Sequence, residues 1–431
     1  MSEYIVQDSS LTAVANKIRE KTGGSAPLEF PDEFVAEIEN LASKPVTPSD
    51  SILFYSLQDF TLSIKNRTKN WNGILEYSTD RTTWTEWDGI VDLHPNKKYL
   101  WYVLYIRGSN NVRISGGGNH LTDQGFSAAG SGITCCGNLA ALLDYQNIPT
   151  IGYGGDFEYL FSECANIDFD LTLPEPKVSS FYGLFYNCKS LTKAPALPAL
   201  TLAASCYKEM FYGCSSLSTP PELPATDLAS ECYKLMFYGC SSLSTPPELP
   251  ATVMQPKCYD GMFVQSGLTV APVLPATTMA SSCYANMLSS TKITAPPVLP
   301  ATTLANYCYE YMFSHCDYLI SAPALPATTL GNYCYEYMFS NCDMLEQLPE
   351  LPATTLKMYC YLNMFVYCPK IKLSATQVDE YQTEYRIPTT GAGTTASSAM
   401  SGMFQNTGGT FTGAPTINTT YYTANTIIPS T

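Results

Sequence analysis

The sequence predicts a mainly β protein with short helices, in which a helical leader and a small antiparallel β-sandwich precede a repeat solenoid. Two observations predict the solenoid. A unit of about 26 residues recurs between residues 157 and 372, and a chain of 431 residues exceeds the usual limit for a single core, so that several domains or a repeat array are expected. A coil of this length cannot bury its own apolar side chains, whereas stacked coils bury them between neighbours.

A Met-Phe pair marks the phase of the repeat. It begins at Met210, Met236, Met262, Met312, Met338 and Met364. Successive copies are 26 residues apart, except for two 25-residue steps around the variant Met287-Leu288. Eroded copies occur at Leu160-Phe161 and Met403-Phe404. We therefore expect the Met and Phe side chains to form continuous buried ladders.

Within a coil, the segment Leu217–Pro224 is extended but rich in proline. Proline has no N–H group, so this segment cannot complete a ladder of hydrogen bonds. We expect short strands or polyproline-like edges there. A helical turn is expected around Cys206–Phe211.

The sixteen cysteines recur in phase with the coils, commonly as Cys-x7-Cys pairs such as Cys206 and Cys214. Two coils keep only the first cysteine, Cys258 or Cys283. A disulfide or a metal site would not lose one member alone. The pattern favours small buried thiols that pack as hydrophobic side chains.

Residues 1–44 form the predicted helical leader. One helix places Leu11, Val14 and Ile18 on one face, and Gly23-Gly24 ends it. A second helix begins at Pro31. Two short helices cannot form a core of their own, so we expect them to dock either onto the rest of this chain or onto a partner. The candidate docking residues are Leu11, Val14, Ile18, Phe30, Phe34 and Ile38.

Residues 45–115 alternate in hydrophobicity as strands do and predict the antiparallel β-sandwich. The expected strands are Ile52–Leu57, Phe60–Lys65, Gly73–Tyr77, Thr83–Trp87, Tyr99–Ile106 and Val112–Ser115. The four tryptophans fall in this region: Trp71, Trp84, Trp87 and Trp101. Tryptophans can form a sugar-stacking platform, but packing in the core is the commoner reason for such a cluster. Residues 116–156 and 373–431 are expected to cap the two ends of the solenoid.

Composition and motifs argue against several functions. A net charge of −15 disfavours nucleic-acid binding. No stretch is long and apolar enough to span a membrane, and the beginning of the sequence has no secretion signal. The catalytic motifs for acyl transfer, zinc proteolysis and phosphate binding do not occur. The sequence thus predicts a non-enzymatic protein without cofactor or metal.

The unit Met-Phe-x-x-Cys-x-x-Leu followed by Leu-Pro-Ala-Thr-Thr resembles the BspA-like (Treponema-type) bacterial leucine-rich repeats. Its length departs from the commoner unit of about 23 residues. The sandwich with its Tyr77–Trp84 hairpin resembles a module that often precedes such arrays in gut bacteria and their phages. The resemblance implies a leucine-rich-repeat solenoid, and the departure in length leaves its curvature undetermined.

The first 41 residues resemble a leader found on many phage tail and virion-surface proteins, through Ser10–Gly23 and Phe30–Ile38. That resemblance implies a bacteriophage structural protein, assembled in the host cytoplasm and displayed on the virion surface. Its partners would be other virion proteins and a host-surface glycan or protein, with homo-oligomerisation left open. The alternatives are a purely structural virion component, such as a head decoration, baseplate or fibre connector, and a bacterial cell-surface adhesin.

Tyrosine supplies the candidate ligand-binding residues. One tyrosine, such as Tyr207, recurs in every coil and is expected to pack inside. Other tyrosines occupy slots whose residue varies between coils, and such slots are expected to face outward. These are Tyr307, Tyr333, Tyr359, Tyr311 and Tyr337. A row of exposed tyrosines with few charges is typical of a contact surface. Simple inheritance from a duplicated coil would explain the same pattern.

Overall fold

A computed structural model describes residues 45–430, except residue 99 and residues 116–124. The helical leader predicted for residues 1–44 lies outside the described residues, and so do its six candidate docking residues. The described residues form two compact units. One comprises residues 45–111, 126–149 and 166–172, and the other comprises residues 112–115, 125, 150–165 and 173–430.

The first unit is built from nine strands. They are β1 (Ile52–Ser56), β2 (Thr61–Ile64), β3 (Ile74–Ser78), β4 (Thr85–Trp87), β5 (Asn96–Lys98), β6 (Trp101–Ser109), β7 (Phe126–Ala129), β8 (Ile133–Asn138) and β9 (Ile167–Thr172). The larger sheet has the order β4-β3-β6-β1-β8-β9, with β5 also paired to β6. Strands β8 and β9 are parallel, and the other pairs of this sheet are antiparallel. Strands β2 and β7 form a second, antiparallel sheet.

Aromatic side chains join the two sheets of the first unit. Phe126 on β7 lies 6.1 Å from Phe54 on β1 and 5.9 Å from Trp87 on β4, measured between ring centroids. All five residues of β1 are buried, which explains its apolar sequence. The hairpin between β3 and β4 forms as expected. In its turn, backbone N–H groups of Thr83 and Thr82 donate to Asp80 and hold the pKa of that carboxyl below its usual range.

Two details differ from the predicted boundaries of the β-sandwich and the solenoid cap. Residues Val112–Ser115 do not form a strand, because Ser115 makes only a single parallel bridge, to Phe157. Residues 126–149, expected in the solenoid cap, lie in the first unit and supply β7 and β8. Strand β8 adds to the sheet beside β1, with Ile52 opposite Gly137, and its apolar residues are buried there.

The second unit is a stack of coils joined by backbone hydrogen bonds. Alternate N–H groups point to the next coil, and those between them point back within their own coil. Tyr207 N–H donates to Cys232 O of the next coil (3.0 Å), whereas Met210 N–H donates to Tyr207 O (3.2 Å). Within the segment 205–214, half of the N–H groups therefore bond to the next coil and join the coils of the stack.

The prediction of a helical turn around Cys206–Phe211 is wrong. This part of the coil is a run of consecutive β-turns in which every fourth residue is left-handed: Ser205 (φ 55°), Glu209 (φ 54°) and Gly213 (φ 70°). A helix would use its N–H groups within the coil and leave none for the next one. In the described part of the chain the single helix is the short 3₁₀ segment Leu139–Leu142.

Buried ladders run through the stack, as the repeat predicted. The Met-Phe pairs are fully buried. The recurring tyrosines stack from coil to coil, and the stacking continues across the 25-residue steps, from Tyr259 to Tyr284 (5.8 Å) and on to Tyr309 (6.0 Å). The eroded copy at Met403-Phe404 completes the phenylalanine ladder, since Phe404 stacks on Phe365 at 5.4 Å.

The proline-rich segments make far fewer bonds between coils. Residues 217–224 form no regular strand. A single parallel bridge lies within them, at Thr219, and another follows them, at Asp227. Apolar side chains are left in solvent here, with Val273 80% and Val298 79% exposed. Open grooves lie between successive segments. We call residues 220–224, 246–250, 271–275 and 296–300 the proline-rich face.

Short strands close the C-terminal end of the second unit. They are β10 (Gln347–Pro349), β11 (Thr355–Leu356), β12 (Leu373–Ser374), β13 (Thr383–Arg386), β14 (Thr394–Thr395), β15 (Thr420–Thr423) and β16 (Thr426–Ile428). Strand β10 pairs with β16 and β11 with β14, each in parallel, and β12-β15-β13 form an antiparallel sheet. Residues from the predicted tail thus add strands beside the last coils.

The cysteines pack as buried thiols, which confirms their structural interpretation. All sixteen are buried and unbridged. The second cysteine of a pair donates its S–H to a backbone carbonyl of the preceding coil, as Cys214 does to Phe185 O (3.0 Å). Where that cysteine is replaced by Thr291, the hydroxyl donates to Leu288 O (2.7 Å). Ser266 fills the slot in another coil, where its buried hydroxyl makes no hydrogen bond. The slot therefore holds a small side chain, which is a cysteine in most coils.

Candidate functional site

The left-handed turn residues form three columns along the solenoid. In one coil they are Tyr307 (φ 59°), Tyr311 (φ 52°) and His315 (φ 57°). Their backbone N–H groups bond to the next coil whatever the side chain is, as Tyr307 N–H does to Asn332 O (3.0 Å). The side chains lie at the surface, so these columns can vary in sequence without disturbing the stack.

The structure brings the five candidate tyrosines together in two adjacent columns. Tyr307 stacks on Tyr333 at 4.6 Å, and Tyr333 stacks on Tyr359 at 4.9 Å. In the second column Tyr311 stacks on Tyr337 at 4.7 Å. All five are partly exposed. We call these five residues the tyrosine stripe.

Tyrosine is an unfavourable residue at these positions. A left-handed backbone costs a bulky residue about 1 kcal/mol relative to glycine, because its Cβ approaches the following carbonyl oxygen. In other coils the Tyr311 slot holds glycine or asparagine, as at Gly261 and Asn286, but also Glu209 and Leu235. The Tyr307 slot holds serine, glutamate or lysine in the earlier coils. Stacking recovers about 0.5–1.5 kcal/mol per pair. Both slots thus accept several residue types, and in the stripe stacking offsets the backbone cost of tyrosine.

Because the rings of each column stack face to face, their neighbours cover much of the ring faces. The columns present ring edges and hydroxyl groups to solvent. A flat sugar-stacking platform is therefore formed only at the ends of a column. Inside the stripe, contacts to a ligand would be hydrogen bonds from hydroxyls and packing against ring edges.

Two carboxylates lie beside the tyrosines. Glu310 and Glu336 precede Tyr311 and Tyr337 in the chain, and both are partly buried. Burial, together with the charges of Glu336 and Asp260, raises the pKa of Glu310 to about 7. Burial also raises the pKa of Glu336. The stripe therefore has acidic neighbours, and the charge of Glu310 changes near neutral pH.

A further tyrosine column, outside the stripe, was not recognised from the sequence. Tyr186, Tyr212 and Tyr238 stack at 4.7 Å and 4.4 Å in the earlier coils. The available signal was the repeated Phe-Tyr-Gly-Cys segment that contains Tyr212 and Tyr238. In the later coils this slot holds Ser314 or Ser340.

Packing accounts for the tryptophans of the first unit. Trp71 and Trp87 are buried against each other, with ring centroids 5.8 Å apart. Trp84 is partly buried, and the guanidinium of Arg107 lies between it (3.8 Å) and Tyr145 (3.7 Å). Arg107 also donates to Glu76 at 2.9 Å. The preferred interpretation of the tryptophan cluster as core packing is confirmed for Trp71 and Trp87.

The described residues contain no group of three or more His, Cys, Asp and Glu side chains that could hold a metal ion. Burial raises the pKa of the Cys206 thiol to about 12, so this cysteine stays protonated and is a poor nucleophile. Within the same part of the chain, no helix has the length and apolar character needed to cross a membrane.

Comparison with known proteins gives no relative. No protein-family model matches the chain. No curated protein and no solved structure matches it either. The function is therefore inferred from the residues and from the geometry of the stripe.

Proposed function

We propose that this chain is a non-enzymatic bacteriophage virion-surface protein, of the tail or fibre adhesin type, that attaches to the host surface through the tyrosine stripe. One observation carries the proposal: five partly exposed tyrosines occupy left-handed turn positions whose residue varies from coil to coil, and they lie together in two columns. Tyrosine is enriched where proteins recognise other molecules, because it combines a rigid apolar ring with a hydroxyl.

The virion assignment is supported by resemblance. The repeat unit resembles BspA-like leucine-rich repeats, and residues 1–41 resemble leaders of phage tail and virion-surface proteins. A stack of coils suits display, since it presents the same slot many times along one face. In this proposal the solenoid contacts a host glycan or protein, and the leader contacts other virion proteins.

A competition experiment tests the proposal. The purified chain should bind host cells and reduce the adsorption of intact particles in proportion to its concentration. A chain that neither binds the cells nor slows adsorption would contradict the adhesin proposal.

A second candidate is a purely structural virion component, and the proline-rich face favours it. Exposed valines such as Val273 and Val298 line open grooves there, and exposed apolar surface commonly marks a protein–protein contact. A component of this kind, or a homo-oligomer, would use that face to contact its neighbours. It would assemble into particles without competing for host cells, so the same experiment separates the two candidates.

Removing residues 1–41 should abolish incorporation of the chain into particles and leave the solenoid folded. The expectation follows from the leader's resemblance and from the apolar positions Leu11, Val14, Ile18, Phe30, Phe34 and Ile38. Incorporation can be measured by immunoblotting purified particles, with thermal unfolding of the truncated chain as the control for folding. Truncated chain found in particles at the full level would contradict the docking role.

A further inference from the structure

The slot that holds Glu310 and Glu336 carries matched charges in the earlier coils. Lys208 occupies it in one coil and pairs with Glu231 at 2.9 Å. In the next coil Lys234 pairs with Asp260 at 3.0 Å. In these coils each charge of the slot is therefore compensated by a residue of the following coil.

In the later coils, the equivalent positions of the following coil place no positive charge beside Glu310. Glu231 follows Lys208 by 23 residues, and the residue 23 positions after Glu310 is Tyr333, which has no charge to offer. The next residue of the slot, Glu336, has the same charge as Glu310. Among the described residues no Lys or Arg side chain forms an ion pair with either glutamate. The slot of Glu310 and Glu336 thus lacks the positive charge that Lys208 and Lys234 supply in the earlier coils.

The geometry of the slot limits which cation fits. Adjacent coils are 4.7 Å apart at the ring centroids of Tyr311 and Tyr337, so Glu310 and Glu336 are close neighbours. Tyrosine columns flank them on both sides. A guanidinium has five donors in a planar fork and is more weakly hydrated than an ammonium ion. It can bond both carboxylates at once in a site that is partly shielded from water.

We propose that Glu310 and Glu336 bind the guanidinium group of an arginine side chain carried by a partner protein. This inference deepens the proposed function, on which it rests: the host partner is a protein that presents arginine, and the tyrosine stripe surrounds that side chain. Arginine is among the residues that most often dominate the binding energy of protein interfaces.

Peptide binding tests the inference on the full chain. The probe is the labelled peptide acetyl-Gly-Arg-Gly-Arg-Gly-amide, followed by fluorescence anisotropy at low salt. It should bind at least about tenfold more tightly than the same peptide with citrulline in place of arginine, because citrulline is uncharged. Its affinity should fall as the pH is lowered from about 8 to about 6, since Glu310 then becomes protonated. Glu336 and Asp260 are the charged groups that act most strongly on Glu310. Their protonation would also lower the affinity for the peptide as the pH falls.

A matched pair of variants locates the site. E310Q combined with E336Q should weaken arginine-peptide binding at least about tenfold. E222Q combined with E248Q removes the same charge from the proline-rich face, where both glutamates are exposed, and should leave the affinity unchanged. Equal binding by wild type and the first variant, or no binding of the arginine peptide, would overturn the inference.

Two further arms separate the alternatives. A lysine peptide should bind more weakly than the arginine peptide, and an oligomer of glucosamine should not bind. Preference for either of them would overturn the arginine assignment. If the wild-type chain binds host cells but not the arginine peptide, only this inference fails. If it does not bind host cells at all, the proposed function fails as well.

Discussion

Replacing Tyr307, Tyr333 and Tyr359 together by serine is expected to weaken binding of the chain to host cells about 100-fold, while the solenoid stays folded. Truncating a tyrosine at the centre of an interface commonly costs about 1–2 kcal/mol, and three such losses give at least this factor. Serine fits the backbone at this slot, because Ser205 (φ 55°) and Ser282 (φ 54°) occupy it in other coils.

The control changes a second tyrosine column in the same way. Tyr186, Tyr212 and Tyr238 also stack in a row of three and are also partly exposed. Their replacement by serine removes two stacked pairs, as the first variant does, and later coils already carry serine in that slot. Cell binding can be measured by flow cytometry, and unfolding by circular dichroism. Equal loss of binding in both variants would show that the stripe has no special role.

Replacing Tyr309 by alanine is expected to lower the free energy of unfolding by about 4 kcal/mol. Tyr309 is only 1% exposed, and its ring stacks between Tyr284 (6.0 Å) and Tyr335 (5.8 Å). The change leaves a cavity in the middle of the ladder and removes two stacked pairs. Urea unfolding monitored by circular dichroism measures the effect.

Two control variants accompany this prediction. Tyr318 lies near Tyr309 in the chain but is 56% exposed, so Tyr318→Ala should change stability by less than about 0.5 kcal/mol. Tyr309→Phe keeps the stacked ring, and its hydroxyl makes only a 4.0 Å contact with the Met279 sulfur. This variant should remain close to wild type. A small effect of Tyr309→Ala would mean that the buried ladder contributes little to stability.

The repeat could be predicted from the sequence because the side chains that pack inside the stack are the same in successive coils. The Met-Phe pairs and the tyrosine represented by Tyr207 recur at a fixed spacing, and a residue that recurs in every coil must occupy the same environment in each. The outward position of the stripe was expected for the complementary reason. A slot that holds tyrosine in one coil and serine in another cannot be tightly packed.

The backbone between those positions could not be predicted in the same way. A run of β-turns places apolar residues much as a helical turn would, so the pattern at Cys206–Phe211 does not distinguish the two. The alternative signal was glycine or asparagine recurring four residues apart, as at Gly183 and Asn187. Tyrosine at Tyr307 and Tyr311 hid that signal in the coils of the stripe, because tyrosine rarely adopts a left-handed backbone.

The missing ion-pair partner of Glu310, beside the stripe, could not be predicted from the sequence for another reason. An ion pair such as Lys208–Glu231 joins residues 23 positions apart, and this relation depends on how far one coil is offset from the next. The offset is a property of the stack. Once the offset between coils is known, Glu310 is seen to lie opposite the uncharged Tyr333 where the earlier coil has an ion pair.

The central claim, that equivalent coils contact only their neighbours, is tested most directly by deleting one whole coil. Removing residues 232–257 joins Glu231 (φ 57°) to Cys258, just as Lys257 (φ 57°) precedes it now. Circular dichroism should show the same signal per residue and a cooperative transition only slightly below that of the full chain. Removing only residues 232–244 breaks the register and should unfold much of the stack. If both deletions unfold the chain to the same extent, the coils are not equivalent stacked units.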